Sequence, residues 1–401
     1  MKNCILIPFS AALILSASCG KQGPDYPSLA TPLTKAEEAV NASANSFGFD
    51  VYHSLYKEGQ LLFSPLSASL ALSMTAAGAD GNTAKQMTKV LGFNDFTTDN
   101  VNGYYQKMVA TLLTVDPDTI FEIANSIWIS DRISVRKGFI DDARTYYSSE
   151  VFPADFASQA TVDKVNKWCS DKTHGKINSI LDKPDPRMVM ALMNALYFKG
   201  SWTHSFQAVD VGKFNSISGS AVKMDMMHLT DELYYAEYDG FSMAELPYGN
   251  GAFSMKVILP GVKEDFAKAV KRFSAKTLDK LNEKATKENV SVTMPKFTFE
   301  DNSDLNDVLI ALGMEDAFDE NKADFSKMSD DLYIGFVKQK TFIDVNESGT
   351  EAAAVTIVGM EKNSIGGGTP KVINFIADRP FLFIIQENST GAVLFIGQKV
   401  S

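Results

Sequence analysis

Few side chains in this sequence are spaced for chemistry. There are four histidines, His53, His174, His204 and His228. None lies in an HExxH pair, and none has a metal-ligand neighbour at helical spacing. The chain has no GxSxG nucleophile elbow, no GxxxxGK[ST] phosphate loop and no GxGxxG turn. Gly366, Gly367 and Gly368 lack the strand-to-helix context of a phosphate cradle and read as loop. The informative stretch is residues 347–356: Glu347, Ser348, Gly349, Thr350, Glu351, Ala352, Ala353, Ala354, Val355 and Thr356. At the two-residue period of a strand, Thr350, Ala352, Ala354 and Thr356 share one face, and all four are small and uncharged. The next thirteen residues run through Gly359, Glu361, Lys362, Asn363 and the three glycines. They read as a long exposed loop, and long loops in compact domains are usually functional. The sequence therefore points away from catalysis, to a small-residue segment beside an exposed loop, and it calls for no metal or cofactor.

The elements that position this segment read as one α+β domain. The chain has 401 residues, 45% hydrophobic and 22% charged, with a net charge of −11. That is enough chain for a core without disulfide staples. Lys and Arg are scattered without a basic run, which argues against nucleic acid as a partner. In the first half, Ser64 followed by Pro65 reads as a cap and first helical residue. Leu66, Leu70, Met74 and Ala77 then share a face. Residues 80–82 read as the end of that helix, and Thr83 to Gln86 as a capping box opening the next, closed by Gly92. Leu305, Val308, Leu309 and Leu312 form another stripe, stopped by Gly313. In the second half, residues 253–259 and 290–294 alternate with period two. Residues 381–385 and 392–396 are nearly continuous apolar runs, as in strands buried on both faces.

The N-terminus reads as a targeting signal, residues 1–18. Lys2 supplies a positive charge, residues 5–15 are apolar but too short to span a bilayer, and Ser16, Ala17 and Ser18 precede Cys19. This resembles a bacterial lipobox, with Leu15 one place earlier than usual. Cys19 is then the lipidated residue, residues 19–34 a flexible Gly- and Pro-containing tether, and residues 35–401 the domain. An ordinary secretory signal is the alternative. Cys4 leaves with the signal and Cys19 carries lipid, so Cys169 has no disulfide partner and reads as a small buried hydrophobe. The implied location is a bacterial outer membrane, on the periplasmic or cell-surface side, with the membrane as a partner through the anchor.

From about residue 45 onwards the motifs resemble those of the serpins. Phe-Ser-Pro-Leu-Ser at 63–67, Asn-Ala-Leu-Tyr-Phe-Lys-Gly-Ser-Trp at 194–202 and Met-Pro-Lys-Phe at 294–297 match in order and spacing. So do Leu-Gly-Met at 312–314, Ala-Asp-Phe-Ser at 323–326, Phe-Ile-Ala-Asp-Arg-Pro-Phe at 375–381 and Val-Leu-Phe-Ile-Gly at 393–397. The resemblance implies about nine helices around three β-sheets with an exposed reactive-centre loop, acting as a monomer. It also implies inhibition of a serine protease by a suicide-substrate route. The protease attacks the loop, an acyl-enzyme forms, and the freed loop inserts as a new strand into a large sheet. Residues 347–356 then become the hinge, with Gly349 giving backbone freedom. Thr350 becomes the first inward-facing residue to insert. A carrier or storage protein without inhibitory activity is the alternative.

By the same carry-over Ser64, Ser67 and Asn194 match the family's shutter, where the large sheet opens. Gln339 stands where the family usually has His and cannot titrate. Trp202 matches the breach, where the loop first enters. Counting from Gly349 places the reactive bond near Asn363–Ser364. A trypsin-like pocket with a buried carboxylate would favour Lys362 and cut at Lys362–Asn363. A cysteine protease preferring Asn would cut after Asn363, and elastase-like enzymes at Val358 or Met360.

Overall fold

The computed structural model describes residues 26–27, 32–350 and 371–401. Cys19, Glu351, Ala352, Ala353, Ala354, Thr356, Lys362, Asn363 and Ser364 lie outside the described residues. The described helices are α1 (Lys35–Leu55), α2 (Pro65–Ala77), α3 (Gly81–Val90), α4 (Thr98–Leu112), α5 (Lys137–Tyr147), α6 (Gln159–Lys172), α7 (Phe266–Arg272), α8 (Ala275–Lys284) and α9 (Asn306–Leu312). The strands are β1 (Leu61–Phe63), β2 (Ile120–Ser130), β3 (Glu150–Ala154), β4 (Met190–Ser201), β5 (Ala208–Asn215), β6 (Ala221–Tyr238), β7 (Phe241–Tyr248) and β8 (Phe253–Pro260). They continue as β9 (Thr286–Pro295), β10 (Phe297–Asp304), β11 (Phe336–Asn346), β12 (Gly349–Thr350), β13 (Ile373–Ile376), β14 (Phe381–Glu387) and β15 (Ala392–Lys399).

Six strands form one sheet in the order β10-β11-β12-β4-β2-β3. The other nine form a continuous network, because β6 is 18 residues long. Its first part pairs with β5 and β9 and its end with β7, so it joins what would otherwise be two sheets. The six-stranded sheet is covered on both faces. On one side, Trp128, Ala191, Met193 and Ala195 pack against Val165 and Cys169 of α6. On the other, Ile127, Leu192 and Leu196 join the main core with Leu66, Leu70 and Met74 of α2. Double coverage explains why β4 is apolar on consecutive residues, as are the fully buried β14 and β15.

Local signals mostly act as the sequence indicates, with instructive exceptions. Ser64 caps α2, its Oγ accepting from Ser67 N, with Pro65 as first helical residue. This helix is buried from Pro65 to Thr75 on every side, rather than along one stripe. Helix α3 begins at Gly81 with Asp80 at the cap position, not at Thr83. The expected capping box fails because Thr83 Oγ1 is used in tertiary structure, accepting from Asp324 N at 2.9 Å. Gly313, at φ +116°, ends α9 as expected. The expected tether is also not wholly free of the domain, since Tyr26 packs on Glu245. Cys169 is buried, and burial pushes its thiol up to about 11, which leaves little thiolate for nucleophilic attack.

Candidate functional site

The six-stranded sheet contains a seam between β4 and β11. In its lower part the two strands pair directly and in parallel, from Phe336 opposite Ala191 to Lys340 opposite Ala195. In its upper part β12 lies between them. Gly349 pairs with Ser201 and Asn346, and Thr350 with Gly200 and Val345. Among the described residues, positions 196–199 of β4 and 341–344 of β11 have no ladder partner across the seam. The start of the hinge thus occupies the top of a sheet that is closed lower down.

Trp202, at the upper end of β4, organises the entry point. Its indole Nε1 donates to Asn346 O at 2.9 Å, and its backbone N donates to Ser348 O at 3.0 Å. Tyr248 stacks on the indole at 4.4 Å between centroids, with rings 14° from parallel. The Tyr248 hydroxyl lies 2.7 Å from Thr350 Oγ1, and burial holds that phenol far above its ordinary range. Thr350 is only 2% exposed, so the first small residue of the hinge already faces inward. Sequence reasoning expected this face but placed its burial after cleavage. Gly349 is required by space and backbone conformation alike. Its φ is +149°, and a Cβ there would stand 2.1 Å from Gly200 O. Before it, Glu347 pairs with Lys296 at 2.5 Å, which holds its carboxyl below the ordinary range, and Glu347 O accepts from Phe206 N.

The shutter residues meet beneath this entry point. Gln339 Oε1 accepts from Ser64 N at 2.7 Å, and its Nε2 donates to Ser64 O at 3.0 Å. Ser67 Oγ donates to Asn194 Oδ1, and Asn194 Nδ2 donates to Ser67 O at 3.3 Å. The structure therefore brings Ser64, Ser67, Asn194 and Gln339 together where α2 meets β4 and β11. Two contributors were missed. Asn125 on β2 accepts from Asn194 Nδ2 and faces it across the ladder. Thr341 Oγ1 donates to Leu62 O at 2.9 Å. Asn125 and Ser126 are polar residues within the buried run 124–129 of β2, a signal that could have drawn attention to the first. Tyr248 carried no comparable signal.

The four histidines are dispersed: His53 bonds Phe273 O, while His174, His204 and His228 pair with Glu122, Asp231 and Asp210. Among the described residues no group of three or more His, Cys, Asp or Glu is placed to hold a metal. No described helix is long and apolar enough to cross a membrane.

These features define a protein whose six-stranded sheet holds Gly349 and Thr350 as a short strand within the seam between β4 and β11. The family model for serpin (serine protease inhibitor) matches residues 42–401, and the chain belongs to this family. It is 32% identical to the human leukocyte elastase inhibitor over 384 residues, covering 90% of this chain and 99% of that one. The structure of the thermophilic serpin tengpin in the native state superposes with a TM-score of 0.85 at 34% identity, over 92% of this chain and 95% of that one. Human thyroxine-binding globulin in complex with thyroxine superposes at 0.83 with 27% identity, over 91% and 99%. The chain is therefore similar both to a protein named as an elastase inhibitor and to one named for binding thyroxine.

Proposed function

We propose that this protein inhibits a serine-type endopeptidase by covalent trapping. The loop after Thr350 is the bait, and the seam between β4 and β11 receives it. One observation carries the reading: Gly349 and Thr350 are paired on both sides within the seam, and the ladder positions just below them have no partner across the seam among the described residues. A freed loop continuing from Thr350 would add Ala352, Ala354 and Thr356 to the same inward face, none of them charged. A charged group there would cost several kcal/mol in desolvation and slow insertion. After acylation the inserting strand carries the protease along, before water can complete the hydrolysis. The protein itself turns over no substrate.

The favoured target is trypsin-like, cutting at Lys362–Asn363, with Asn363–Ser364 the site for a cysteine protease that prefers Asn. Cys19 carries the lipid that places the inhibitor on a bacterial outer membrane, facing the periplasm or the outside. Incubation with trypsin should give an SDS-resistant band near the summed mass of the two proteins. The peptide released from that complex should begin at Asn363 or Ser364. Turnover by every protease that cuts the loop, without such a band, would instead favour a non-inhibitory carrier, the reading to which the likeness to thyroxine-binding globulin lends support.

A further inference from the structure

Away from the seam, a titratable cluster on the nine-stranded network has no part in loop insertion. Glu245 on β7 and Lys256 on β8 are ladder partners, so their side chains stand side by side on one face. They form an ion pair at 2.7 Å, with side chains only 2% and 1% exposed. A buried pair of this kind is costly unless further hydrogen bonds complete it. Tyr26 from the N-terminal segment supplies the completion. Its hydroxyl donates to Glu245 Oε2 at 2.8 Å, the same oxygen that accepts from Lys256. Its ring lies 5.8 Å from Lys256 Nζ and 5.9 Å from the Tyr234 ring. Burial, and then the Glu245 charge, keep the phenol protonated and therefore a donor.

We propose that Glu245, Lys256 and Tyr234 form a socket for Tyr26, and that the docked segment turns the β7–β8 face toward the membrane. The orientation rests on lipidation of Cys19; the socket does not. A carboxylate oxygen, an adjacent ammonium and an aromatic wall together fit a phenol. An aliphatic side chain would fill the space but leave Glu245 short of a donor. The geometric consequence follows from reach. Tyr26 lies seven residues after Cys19, so the free chain spans at most about 25 Å when extended. Without docking, the first fixed point would be Pro32, whose carbonyl accepts from Lys107, and the reach would nearly double to about 45 Å.

Hydrogen exchange on the full chain tests the socket. Tyr26→Ala should speed exchange at Glu245 and Lys256 about tenfold, in line with loss of a hydrogen bond to a buried charge. Amides of β14 and β15 serve as the control for global unfolding. Tyr26→Phe, which keeps the ring and loses the hydroxyl, should fall between the two. Unchanged exchange at Glu245 and Lys256 in Tyr26→Ala would overturn the socket. Orientation is read on lipidated protein in phosphatidylethanolamine–phosphatidylglycerol vesicles, with a fluorophore at Val262→Cys, a position 82% exposed just beyond β8. Energy transfer to a headgroup dye should be higher when Tyr26 is present than in the Tyr26→Ala variant. Equal transfer from two equally bound proteins would overturn the orientation. A protein that does not partition into vesicles would overturn the anchor and the orientation with it, and the exchange result would still decide the socket.

Discussion

The two ends of the seam hold their strands by different means. At the shutter, β4 and β11 pair directly, and their closure is reinforced by side chains from α2, β2, β4 and β11. Gln339 answers both backbone groups of Ser64, and Asn194 ties Ser67 to Asn125. At the breach the same strands are parted, and two residues of the hinge fill the gap under Trp202 and Tyr248. The closed end is satisfied by polar groups that can be exchanged for others. The open end is satisfied by the first residues of the segment that is to follow. In the proposed insertion, opening would run from a nucleus at Thr350 down toward Gln339, and the shutter would be the barrier that the advancing strand displaces.

The comparison is broken most strongly by cutting the loop. Among the described residues, positions 196–199 and 341–344 have no ladder partner across the seam. In the proposed mechanism a released loop would pair with both strands there, adding hydrogen bonds and packing. On that mechanism the intact protein would be a kinetically trapped state, and the cut protein should melt well above it. Calorimetry on intact and trypsin-nicked protein gives the measurement. Equal melting temperatures would mean that the seam does not open below Thr350.

Thr350→Arg acts on the nucleus alone. The site is 2% exposed and lies against the Tyr248 hydroxyl. An unpaired buried guanidinium costs about 3–5 kcal/mol. Cleavage of the loop should continue, while the SDS-resistant complex falls by at least tenfold and the protein becomes a substrate. Complex formation at the wild-type level would remove Thr350 from the insertion path.

How much of this was legible in the sequence depended on range. The inward face of Thr350, the Ser64–Pro65 cap and the doubly buried runs of β14 and β15 are local patterns, and they were readable. The serpin motifs supplied the shutter residues that those patterns could not assemble, since Ser64, Asn194 and Gln339 are far apart in the chain. Features set by tertiary contacts stayed hidden. Thr83 has the composition of a capping residue, but Asp324 N claims its hydroxyl. The seating of Gly349 and Thr350 before cleavage depends on how far β4 and β11 are parted. Tyr26 sits in a polar, proline-bearing stretch that composition marks as a tether, yet a buried ion pair more than two hundred residues later gives it a fixed place.

Gln339→His sharpens the comparison at the shutter, with the smallest expected effect. Gln339 is 2% exposed and uses its two amide atoms on the N–H and C=O of one residue, Ser64. The two nitrogens of an imidazole point away from each other, so histidine can keep one of these bonds and loses the other, at about 1 kcal/mol. The replacement also introduces a titration that glutamine lacks. Burial disfavours the imidazolium, so the folded pKa should lie below the unfolded value of about 6.5. Below that pH the unfolded chain binds more protons than the folded one, and stability falls as pH falls. The slope approaches about 1.4 kcal/mol per pH unit until the folded state also takes up its proton. Above pH 7 both states are neutral at this position and only the lost hydrogen bond should register. Denaturant midpoints at pH 5.5 and 7.5 therefore give a difference of differences between variant and wild type that isolates the shutter from every other titrating group. A Gln339→His penalty that is the same at both pH values would place position 339 in contact with water in the folded state, and the shutter would then be a looser closure than its hydrogen bonds indicate.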